Sequence, residues 1–360
     1  MKKILVIFGT RPEAIKMVPI VKALKSDAFF DIKVCVTAQH REMLDSVISE
    51  FNIIPDYDLS IMKSNQSLSY ITQSVIEDTE PIIKAFRPDI VMVHGDTTSA
   101  FAGALSAFYN RVPIAHVEAG LRSGNISSPF PEEFNRRAIS MLTDIHFAPT
   151  NTAVKNLIDE GIAKEKIFLV GNSVIDTMLL SANMTSSTPL PPSPYILMTV
   201  HRREHSDDEI LSIFRAIRRI CIDNPSIFVI YPIHKSPRFL RLFEQILGDV
   251  KNIKCTQPLP TVDFHRLLRN CYLVLTDSGG VQEEAAYLGK PVLVVRNNTE
   301  RPEGAKLGTL NVIGSDEQKI YSEISALLTD SKEYKRRSMR CYDFGEGDTA
   351  AKIVEILKSI

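Results

Sequence analysis

Residues 3–17 read KILVIFGTRPEAIKM, and this stretch sets the expectation for the fold of the whole chain. An apolar run ends at Gly9, which permits a tight turn, and Pro12 suits the first position of a helix. Continuous apolar runs are typical of parallel strands covered by helices on both faces. The stretch therefore predicts a strand, a turn and a helix whose N-terminus binds an anion with help from Arg11 and Lys16. A capped helix carrying surface cations is the alternative.

The same alternation of apolar run and helical stretch recurs along the chain. It predicts doubly wound parallel sheets with right-handed crossovers. Residues 184–194, MTSSTPLPPSP, contain four prolines and no periodicity, so they predict a linker between two Rossmann-like domains at 1–183 and 195–345. The C-terminal segment 346–360 is expected to return to the first domain. The predicted strands are 3–8, 33–37, 89–95, 113–119, 145–150, 166–171, 195–201, 226–234, 252–256, 272–278, 291–296 and 309–314.

Composition limits the classes of function. The chain has 360 residues, of which 44% are hydrophobic, so it can bury more than one core. Its 42 Lys and Arg nearly balance 43 Asp and Glu, which argues against nucleic acid or an anionic membrane as the main partner. The five cysteines form no CxxC pair, and no apolar run reaches transmembrane length. These features predict a cytoplasmic protein with free thiols.

Polar residues directly follow several of the predicted strands. Ligands of doubly wound sheets bind beyond the carboxyl ends of the strands, so two such domains facing each other would gather these residues at one cleft. Asp96 could be a helix N-cap or a catalytic carboxylate. The charged loop 115–137 could be a solvated connection or a catalytic loop. The residues in question are Asp96, Glu118, Glu132, Glu133, Arg136 and His201.

The stretch TDSGGVQEEA at 276–285 gives the strongest local signal. A strand runs into Ser278-Gly279-Gly280 and then a helix, which is typical of a phosphate-binding helix start, and Glu284 is placed to accept hydrogen bonds from sugar hydroxyls. A Gly-rich turn with a capping serine is the alternative. The chain lacks GxGxxG, GxxxxGK[ST], HExxH and GxSxG, which argues against dehydrogenase, P-loop, metalloprotease and serine-hydrolase functions, and its histidines lack zinc-ligand spacing.

Taken together, these clusters resemble the non-hydrolysing UDP-N-acetylglucosamine 2-epimerases over nearly the whole chain. The resemblance implies a glycosyltransferase-B-like fold and a homodimer that uses no metal or other cofactor. It also implies elimination of UDP to a glycal and re-addition after a proton returns to the opposite face, with the product supplying surface polysaccharide synthesis. The motifs are FGTRPEAIKM (8–17), TAQHREMLD (37–45), HGDTTS (94–99), HVEAGLRSG (116–124), PEEFNRR (131–137), HRRE (201–204), YPIH (231–234), TDSGGVQEEA (276–285) and TERPEG (299–304).

The resemblance also implies roles for individual residues. Asp96, Glu118 and Glu132 would be the acid/base carboxylates, and which of them removes the C2 proton is left open. Some family members bind an activating second substrate molecule, although Asn65 stands where those members have an arginine. The remaining implied positions are Arg11, Lys16, Arg136 and His201 near the diphosphate and sugar; Ser278, Gly279, Gly280 and Arg301 at the phosphates; Glu284 at the ribose; Phe264 at the uracil; and Gln39, Arg41 and His234 at a second site.

Two other functions fit the same fold. A hydrolysing 2-epimerase would release free N-acetylmannosamine and UDP, and a glycosyltransferase would pass the sugar to an acceptor. The uninterrupted set of non-hydrolysing motifs argues against the first, and the carboxylate-rich loop argues against the second.

Overall fold

The computed structural model describes residues 1–39, 41–186, 188–202, 205–233, 236–296, 304–305 and 308–360. The chain forms two compact units. The first comprises Met1–Leu180 together with Phe344–Ile360, and the second comprises Ser181–Asp343. Each unit is an α/β structure built on one parallel sheet.

The first unit contains a seven-stranded sheet in the order β3-β2-β1-β4-β5-β6-β7, in which all neighbouring strands are parallel. Its strands are β1 (Lys2–Phe8), β2 (Phe30–Val36), β3 (Tyr57–Asp58), β4 (Ile90–His94), β5 (Ile114–Val117), β6 (Ile145–Ala148) and β7 (Ile167–Leu169). Its helices are α1 (Arg11–Lys25), α2 (Arg41–Glu50), α3 (Leu68–Phe86), α4 (Thr98–Tyr109), α5 (Glu132–Leu142) and α6 (Asn151–Asp159), with a 3₁₀ turn at Lys164–Lys166. Helix α7 (Ser173–Ala182) follows, and its last two residues, Ser181 and Ala182, already belong to the second unit.

The second unit contains a six-stranded parallel sheet in the order β10-β9-β8-β11-β12-β13. Its strands are β8 (Tyr195–Thr199), β9 (Phe228–Pro232), β10 (Ile253–Thr256), β11 (Leu273–Thr276), β12 (Val292–Val294) and β13 (Leu310–Val312). The helices that follow are α8 (Asp207–Asp223), α9 (Pro237–Leu247), α10 (Thr261–Asn270), α11 (Gly279–Tyr287), α12 (Glu317–Thr329) and α13 (Ser331–Arg337).

The continuous apolar runs have a direct structural cause in the second sheet. Side chains alternate between the two faces of a strand, so Leu273 and Leu275 of β11 enter one hydrophobic cluster while Val274 enters another. Both clusters are buried because helices cover both faces of the sheet. The predicted doubly wound architecture is therefore confirmed, and each of the twelve predicted strands is present.

Two local features differ from the expectation. Strand β3 was not predicted, because a two-residue strand at the sheet edge shows no periodicity. The predicted linker is also partly anchored: the Asp263 carboxylate accepts hydrogen bonds from Ser186 Oγ (2.6 Å) and Thr188 Oγ1 (2.7 Å). Arg266 Nη1 donates to the carbonyl oxygen of Thr188 at 3.1 Å. These contacts bind the start of 184–194 to α10.

The last helix, α14 (Thr349–Ser359), belongs to the first unit. The Asp176 carboxylate accepts the N–H of Ala350 at 2.9 Å, and Lys358 pairs with Asp27 at 2.7 Å. Gly171 and Gly345 pack so closely that a Cβ on Gly171 would lie 2.9 Å from the Cα of Gly345. This backbone approach fixes the point at which the chain re-enters the first unit.

Four of the five cysteines are buried and all five are free thiols, as the apolar runs around them predict. Burial raises the pKa of Cys35, Cys221 and Cys271 to about 12, so these thiols stay protonated and unreactive. Within the described part of the chain, no helix has both the length and the apolar character that a bilayer crossing requires.

Candidate active site

Both sheets contain a point at which the order of the strands reverses. In the first sheet this point lies between β1 and β4, and in the second between β8 and β11. Crossovers on the two sides of such a point go in opposite directions, which leaves a crevice beyond the carboxyl ends of the strands. The predicted site residues of each unit follow these strands or their neighbours.

The turn after β1 is fixed by a buried carboxylate. Glu13 Oε2 accepts the N–H groups of Gly9 (3.1 Å) and Thr10 (2.8 Å), and Thr97 Oγ1 donates to Glu13 Oε1 at 2.9 Å. A Cβ on Gly9 would lie 2.0 and 2.6 Å from two side-chain hydroxyl oxygens, so only glycine fits. Arg11 therefore begins α1 in a rigid position, as a helix start that binds an anion requires.

Burial raises the pKa of the Glu13 carboxyl to about 7, and the hydrogen bonds from Thr10, Gly9 and Thr97 only partly oppose this rise. Between pH 4.5 and about 7 the folded protein keeps a proton that the unfolded chain has lost. Unfolding then releases a proton, so the free energy of unfolding falls as the pH rises through this window.

We expect Glu13→Gln to remove this dependence, because the amide does not titrate. Relative to the variant, the free energy of unfolding of the wild-type protein should fall by up to about 1.4 kcal/mol per pH unit as the pH rises. Urea unfolding across that same pH window measures the difference. The matched control is Glu77→Gln, which alters an exposed carboxylate on α3 and should keep the wild-type slope. Parallel pH profiles for Glu13→Gln and the wild type would contradict the raised pKa.

Glu118 lies directly after β5 and is surrounded by polar groups. Its carboxylate forms an ion pair with Lys16, accepts a hydrogen bond from Asn172 Nδ2 at 2.9 Å, and lies 3.7 Å from His94 Nε2. The side chains of Lys16 and Glu118 are only 11% and 9% exposed. In such a poorly hydrated position the charges of both groups act strongly on a bound ligand.

The backbone at Glu118 is in the left-handed region, with φ of +64°. For a residue other than glycine this conformation costs about 1–3 kcal/mol and persists only where surrounding contacts impose it. The neighbouring bonds Gly95 N–H to Val117 O (2.9 Å) and Ala119 N–H to Phe147 O (3.0 Å) impose it here. The strain marks Glu118 as a residue whose side-chain direction matters.

Two buried histidines lie on the strands next to this carboxylate, His94 at the end of β4 and His116 on β5. Burial lowers the pKa of His94 to about 4 and that of His116 to about 3, so both are neutral near pH 7. His116 Nε2 donates to the carbonyl oxygen of Gly95 at 2.7 Å and supports the turn between β4 and α4. The positive charge beside Glu118 therefore comes from Lys16 rather than from His94.

A second carboxylate cluster is centred on Arg136. Its guanidinium donates to Asp96 Oδ2 through Nε (3.1 Å) and Nη2, and to Glu133 Oε2 through Nη1 (3.3 Å). Arg136 and Glu133 are 7% and 0% exposed, whereas Asp96 keeps 26% of its side-chain surface. Asp96 is thus the member of this cluster that a ligand can reach. Its backbone carbonyl accepts Asn135 Nδ2 at 2.9 Å.

Asp96 and Glu118 follow β4 and β5, which are neighbouring strands in the sheet. A Cβ on Gly95, the residue before Asp96, would lie 3.4 Å from Glu118 Oε2. The structure thus brings Lys16 to Glu118 and Arg136 to Asp96, with Gly95 at the boundary of the two clusters. Glu132, the third predicted carboxylate, begins α5 and is half-buried.

The remaining arginines of loop 115–137 have a structural role. Arg122 donates to both carboxylate oxygens of Glu160 at 2.8 and 2.6 Å, and Arg137 Nε donates to the same group at 3.3 Å. Glu160 is the C-cap of α6, so these pairs attach the loop to that helix. The loop therefore combines arginines that anchor it with Arg136, which faces Asp96.

In the second unit, buried Asp277 organises the end of β8. Its Oδ2 accepts the N–H groups of His201 and Arg202, both at 2.8 Å, and its Oδ1 lies 3.2 Å from His201 Nδ1. Burial opposes ionisation, but the contacts with His205, His201 and these N–H groups outweigh it and lower the pKa of Asp277. An ionised carboxylate therefore holds His201, whose ring remains 43% exposed.

The predicted phosphate-binding segment forms the start of α11. Ser278 is the N-cap, and its N–H donates to Thr276 Oγ1 at 2.9 Å. The N–H groups of the first helical turn, from Gly279 and Gly280 onward, have no carbonyl partner within the helix. No neighbouring atom of the described residues lies within 4 Å of a Cβ built on Gly280. This geometry leaves an oxyanion free to approach the helix start.

Phe264 and Glu284 lie on the neighbouring helices α10 and α11. Phe264 is partly buried against the cluster that contains Leu268 and Val281, and Glu284 is buried with its carboxylate 3.1 Å from His265 Nε2. Both residues are held in place before any ligand binds.

The predicted second-site residues of the first unit make contacts of their own. Ser99 Oγ donates to Gln39 Oε1 at 2.9 Å, which links this residue to the start of α4. Arg41 pairs with Asp58 and with Asp45 (2.9 Å), so its charge is already balanced. His234 and Arg301 lie outside the described residues.

Sequence reasoning missed several polar residues that the structure places around the predicted ones. Each of them ends or directly follows a strand or lies beside a predicted site residue, which is the signal that could have found them. Among the described residues, no group of three or more His, Cys, Asp or Glu side chains is arranged to hold a metal ion. The missed residues are Glu13, His94, Asn172, His265 and Asp277.

Comparisons with known proteins agree with this arrangement. A family model described as UDP-N-acetylglucosamine 2-epimerase matches residues 22–358. An Escherichia coli (strain K12) protein of that name is 46% identical over 370 residues, covering 99% of this chain and 98% of the relative. The S. aureus MnaA–UDP co-structure has a TM-score of 0.93 at 46% identity, covering 100% of this chain and 96% of that one. A Neisseria meningitidis UDP-GlcNAc 2-epimerase bound to UDP-GlcNAc has a TM-score of 0.95 at 41% identity, with 99% and 100% covered.

Proposed function

This chain belongs to the UDP-N-acetylglucosamine 2-epimerase family, and on that premise we propose that it interconverts UDP-N-acetylglucosamine and UDP-N-acetylmannosamine without releasing free sugar. The relatives that carry this name cover almost the whole chain, and one related structure contains UDP-GlcNAc. The observation that carries the proposal is the pair of carboxylates, Asp96 and Glu118, each joined to a largely buried cation at the carboxyl end of the first sheet.

The chemistry explains why this arrangement is needed. The hydrogen on C2 of the sugar is not acidic, because no carbonyl group adjoins that carbon. Elimination of UDP across C1 and C2 avoids a carbanion, since the C1–O bond breaks as the proton leaves and a glycal forms. Re-addition of UDP after protonation of the opposite face completes the inversion. Such a route requires acid/base groups and cations near the leaving diphosphate.

We assign these roles to residues of the first unit. Asp96, Glu118 and Glu132 handle protons, while Arg11, Lys16 and Arg136 stabilise negative charge on the substrate. The Lys16–Glu118 contact supports this assignment, because a cation that pairs with the carboxylate in the free protein can turn to an oxyanion when substrate binds. Glu118 would then be left as a stronger base.

The second unit would bind the nucleotide. The start of α11 at Ser278, Gly279 and Gly280 suits a phosphate, and Glu284 suits the ribose hydroxyls. Phe264 offers an apolar ring for uracil on the neighbouring helix. His201, held by the ionised Asp277, would contribute a partly exposed imidazole to the reacting part of the substrate. Arg301 would add a cation for the phosphates.

Exchange of the C2 hydrogen with solvent tests the mechanism. In heavy water, both UDP-N-acetylglucosamine and UDP-N-acetylmannosamine recovered at equilibrium should carry deuterium at C2, because the proton that returns comes from groups that exchange with water. The measurement is a proton NMR time course of the C2 signal, with enzyme-free substrate as the control. Interconversion without loss of the C2 proton signal would refute elimination.

The same time course separates the alternatives. A hydrolysing epimerase would accumulate free N-acetylmannosamine and UDP, and a glycosyltransferase would convert substrate only when an acceptor is added. We expect neither, with the nucleotide sugars interconverting and free UDP remaining at enzyme-stoichiometric levels. We place the reaction in the cytoplasm and its product in surface polysaccharide synthesis.

We further propose that the protein is a homodimer. Helices α4 and α5 pack side by side, with Phe101 and Phe134 in edge-to-face contact at 5.8 Å. Large apolar side chains on these helices are exposed: Phe108 by 53%, Tyr109 by 65% and Met141 by 84%. Exposing such an apolar surface to water is unfavourable in a monomer, and a second copy of the chain that packs on it would bury it.

Sedimentation tests this surface. Met141→Asp should convert a dimer to a monomer, because it would place an uncompensated charge in the buried interface. Ile222→Asp is the matched control: it changes an apolar residue of α8 that is 59% exposed, and it should leave the dimer intact. Equal sedimentation of both variants as dimers would argue against α4 and α5 as the interface.

A further inference from the structure

A chain of side-chain contacts in the second unit ends on the carboxylate that we assign to the ribose. Ser181 Oγ lies 2.8 Å from His265 Nδ1, and His265 Nε2 lies 3.1 Å from Glu284 Oε1. His265 is 1% exposed and Glu284 is 5% exposed. The three residues come from α7, α10 and α11 and are brought together only by the fold.

We propose that His265 is a positioning residue that holds Glu284 in the orientation in which it reads the ribose hydroxyls. The proposal rests on the nucleotide site described above and extends it to a residue that does not touch the substrate. A carboxylate oxygen accepts, so Nε2–H of His265 donates to Glu284 Oε1, and Nδ1 on the other side of the ring makes its hydrogen bond with the Ser181 hydroxyl, which can donate or accept. The contact with Ser181 thereby holds the His265 ring in the orientation in which Nε2 faces Glu284.

The contacts of His265 differ from those of two other buried histidines, His116 and His146. His116 and His146 hydrogen-bond to backbone carbonyl oxygens, those of Gly95, Ser140 and Lys166, and such bonds stabilise turns. His265 instead joins two side chains, one of which we assign to the nucleotide site. Its neighbour on α10 is Phe264, so one helix would support recognition of both the base and the sugar.

The geometry has a consequence for selectivity. The hydrogen bond from His265 to Glu284 Oε1 orients the carboxylate before the ligand binds. The other acceptor positions of the carboxylate then point toward the place of the ribose. A ribose supplies hydroxyl donors to these positions. A nucleotide without the hydroxyls leaves a buried carboxylate partly unpaired, and a polar site of this kind rejects such analogues strongly. Without His265 the carboxylate would take several orientations, and selectivity would fall.

Calorimetry with UDP and 2′,3′-dideoxyuridine diphosphate tests the proposal. We expect His265→Leu to weaken UDP binding by about tenfold, to leave dideoxy-UDP binding nearly unchanged, and so to lose about tenfold in selectivity. In turnover, KM should rise while kcat stays close to the wild-type value. His265→Gln should retain most of the selectivity, because its amide N–H can reach Glu284. Ser181→Ala should lower the selectivity for UDP over dideoxy-UDP by about threefold.

Several outcomes would overturn the inference. A merely structural histidine would weaken both nucleotides equally in His265→Leu, or would shift the melting temperature with selectivity intact. Should the His265→Leu protein fail to fold, unchanged selectivity in both His265→Gln and Ser181→Ala would have the same meaning. Glu284→Gln is the reference: if it loses selectivity and the His265 variants do not, the positioning role is wrong while the ribose assignment stands. Failure of the wild-type protein to bind UDP would instead overturn the proposed function.

Discussion

Replacing Glu118 by glutamine is expected to lower kcat by about 10²–10⁴-fold while changing the affinity for UDP by less than about threefold. The amide has nearly the same shape as the carboxylate but does not accept a proton. The contacts of Glu118 with Lys16 and Asn172 hold the group in one orientation, so little of the effect should come from rearrangement. Turnover should be measured with UDP-N-acetylglucosamine as the substrate. The affinity for UDP should be measured by calorimetry.

The comparison variant is Asp159→Asn. Asp159 is an exposed carboxylate that pairs with Lys155 one turn away on α6, so the same chemical change there should leave kcat unaltered. Exchange of the C2 proton should fall together with turnover in Glu118→Gln, because both require proton transfer. If Glu118→Gln keeps more than about a tenth of wild-type turnover, its assignment as an acid/base group is wrong.

Arg136→Met is expected to lower the free energy of unfolding of the first unit by about 3–5 kcal/mol and to remove activity. The reason is the 0% exposure of Glu133, whose Oε2 lies 3.3 Å from Arg136 Nη1. Methionine fills a similar volume but leaves that carboxylate buried without its counter-charge. The cost of removing the counter-charge from Asp96 should be smaller, because the Asp96 carboxylate is partly exposed and water can stabilise its charge. Urea unfolding followed by circular dichroism measures the loss.

The adjacent arginine gives a matched control. Arg137 is 44% exposed and pairs with Glu160, which Arg122 also binds, so Arg137→Met should cost less than about 1 kcal/mol. Adding Glu133→Gln to Arg136→Met should restore part of the stability, because it removes the buried charge. Equal stability of the Arg136→Met and Arg137→Met proteins would show that the Arg136–Glu133 pair contributes little.

The architecture was predictable because it depends on local patterns. Apolar runs of strand length, each followed by a helical stretch, specify parallel strands with both faces covered, and the structure contains every strand expected on this basis. The exception, β3, has two residues and lies at the edge of its sheet, where burial imposes no pattern. Residues that follow strands were also predictable as site residues, since the end of a strand is visible in the sequence.

By itself, then, the sequence determined the two doubly wound units, the positions of the strand ends and the family to which the chain is similar. The tertiary structure decided which charges meet. Lys16 and Glu118 are 102 positions apart, and Ser181 and His265 are 84 positions apart. Periodicity describes only neighbours within one element, whereas these pairs depend on how strands order themselves in a sheet. The sequence likewise did not show that Glu133 is buried beside Arg136 while Glu132 is half-buried. Which of two adjacent helical residues is buried depends on how α5 packs against the rest of the unit.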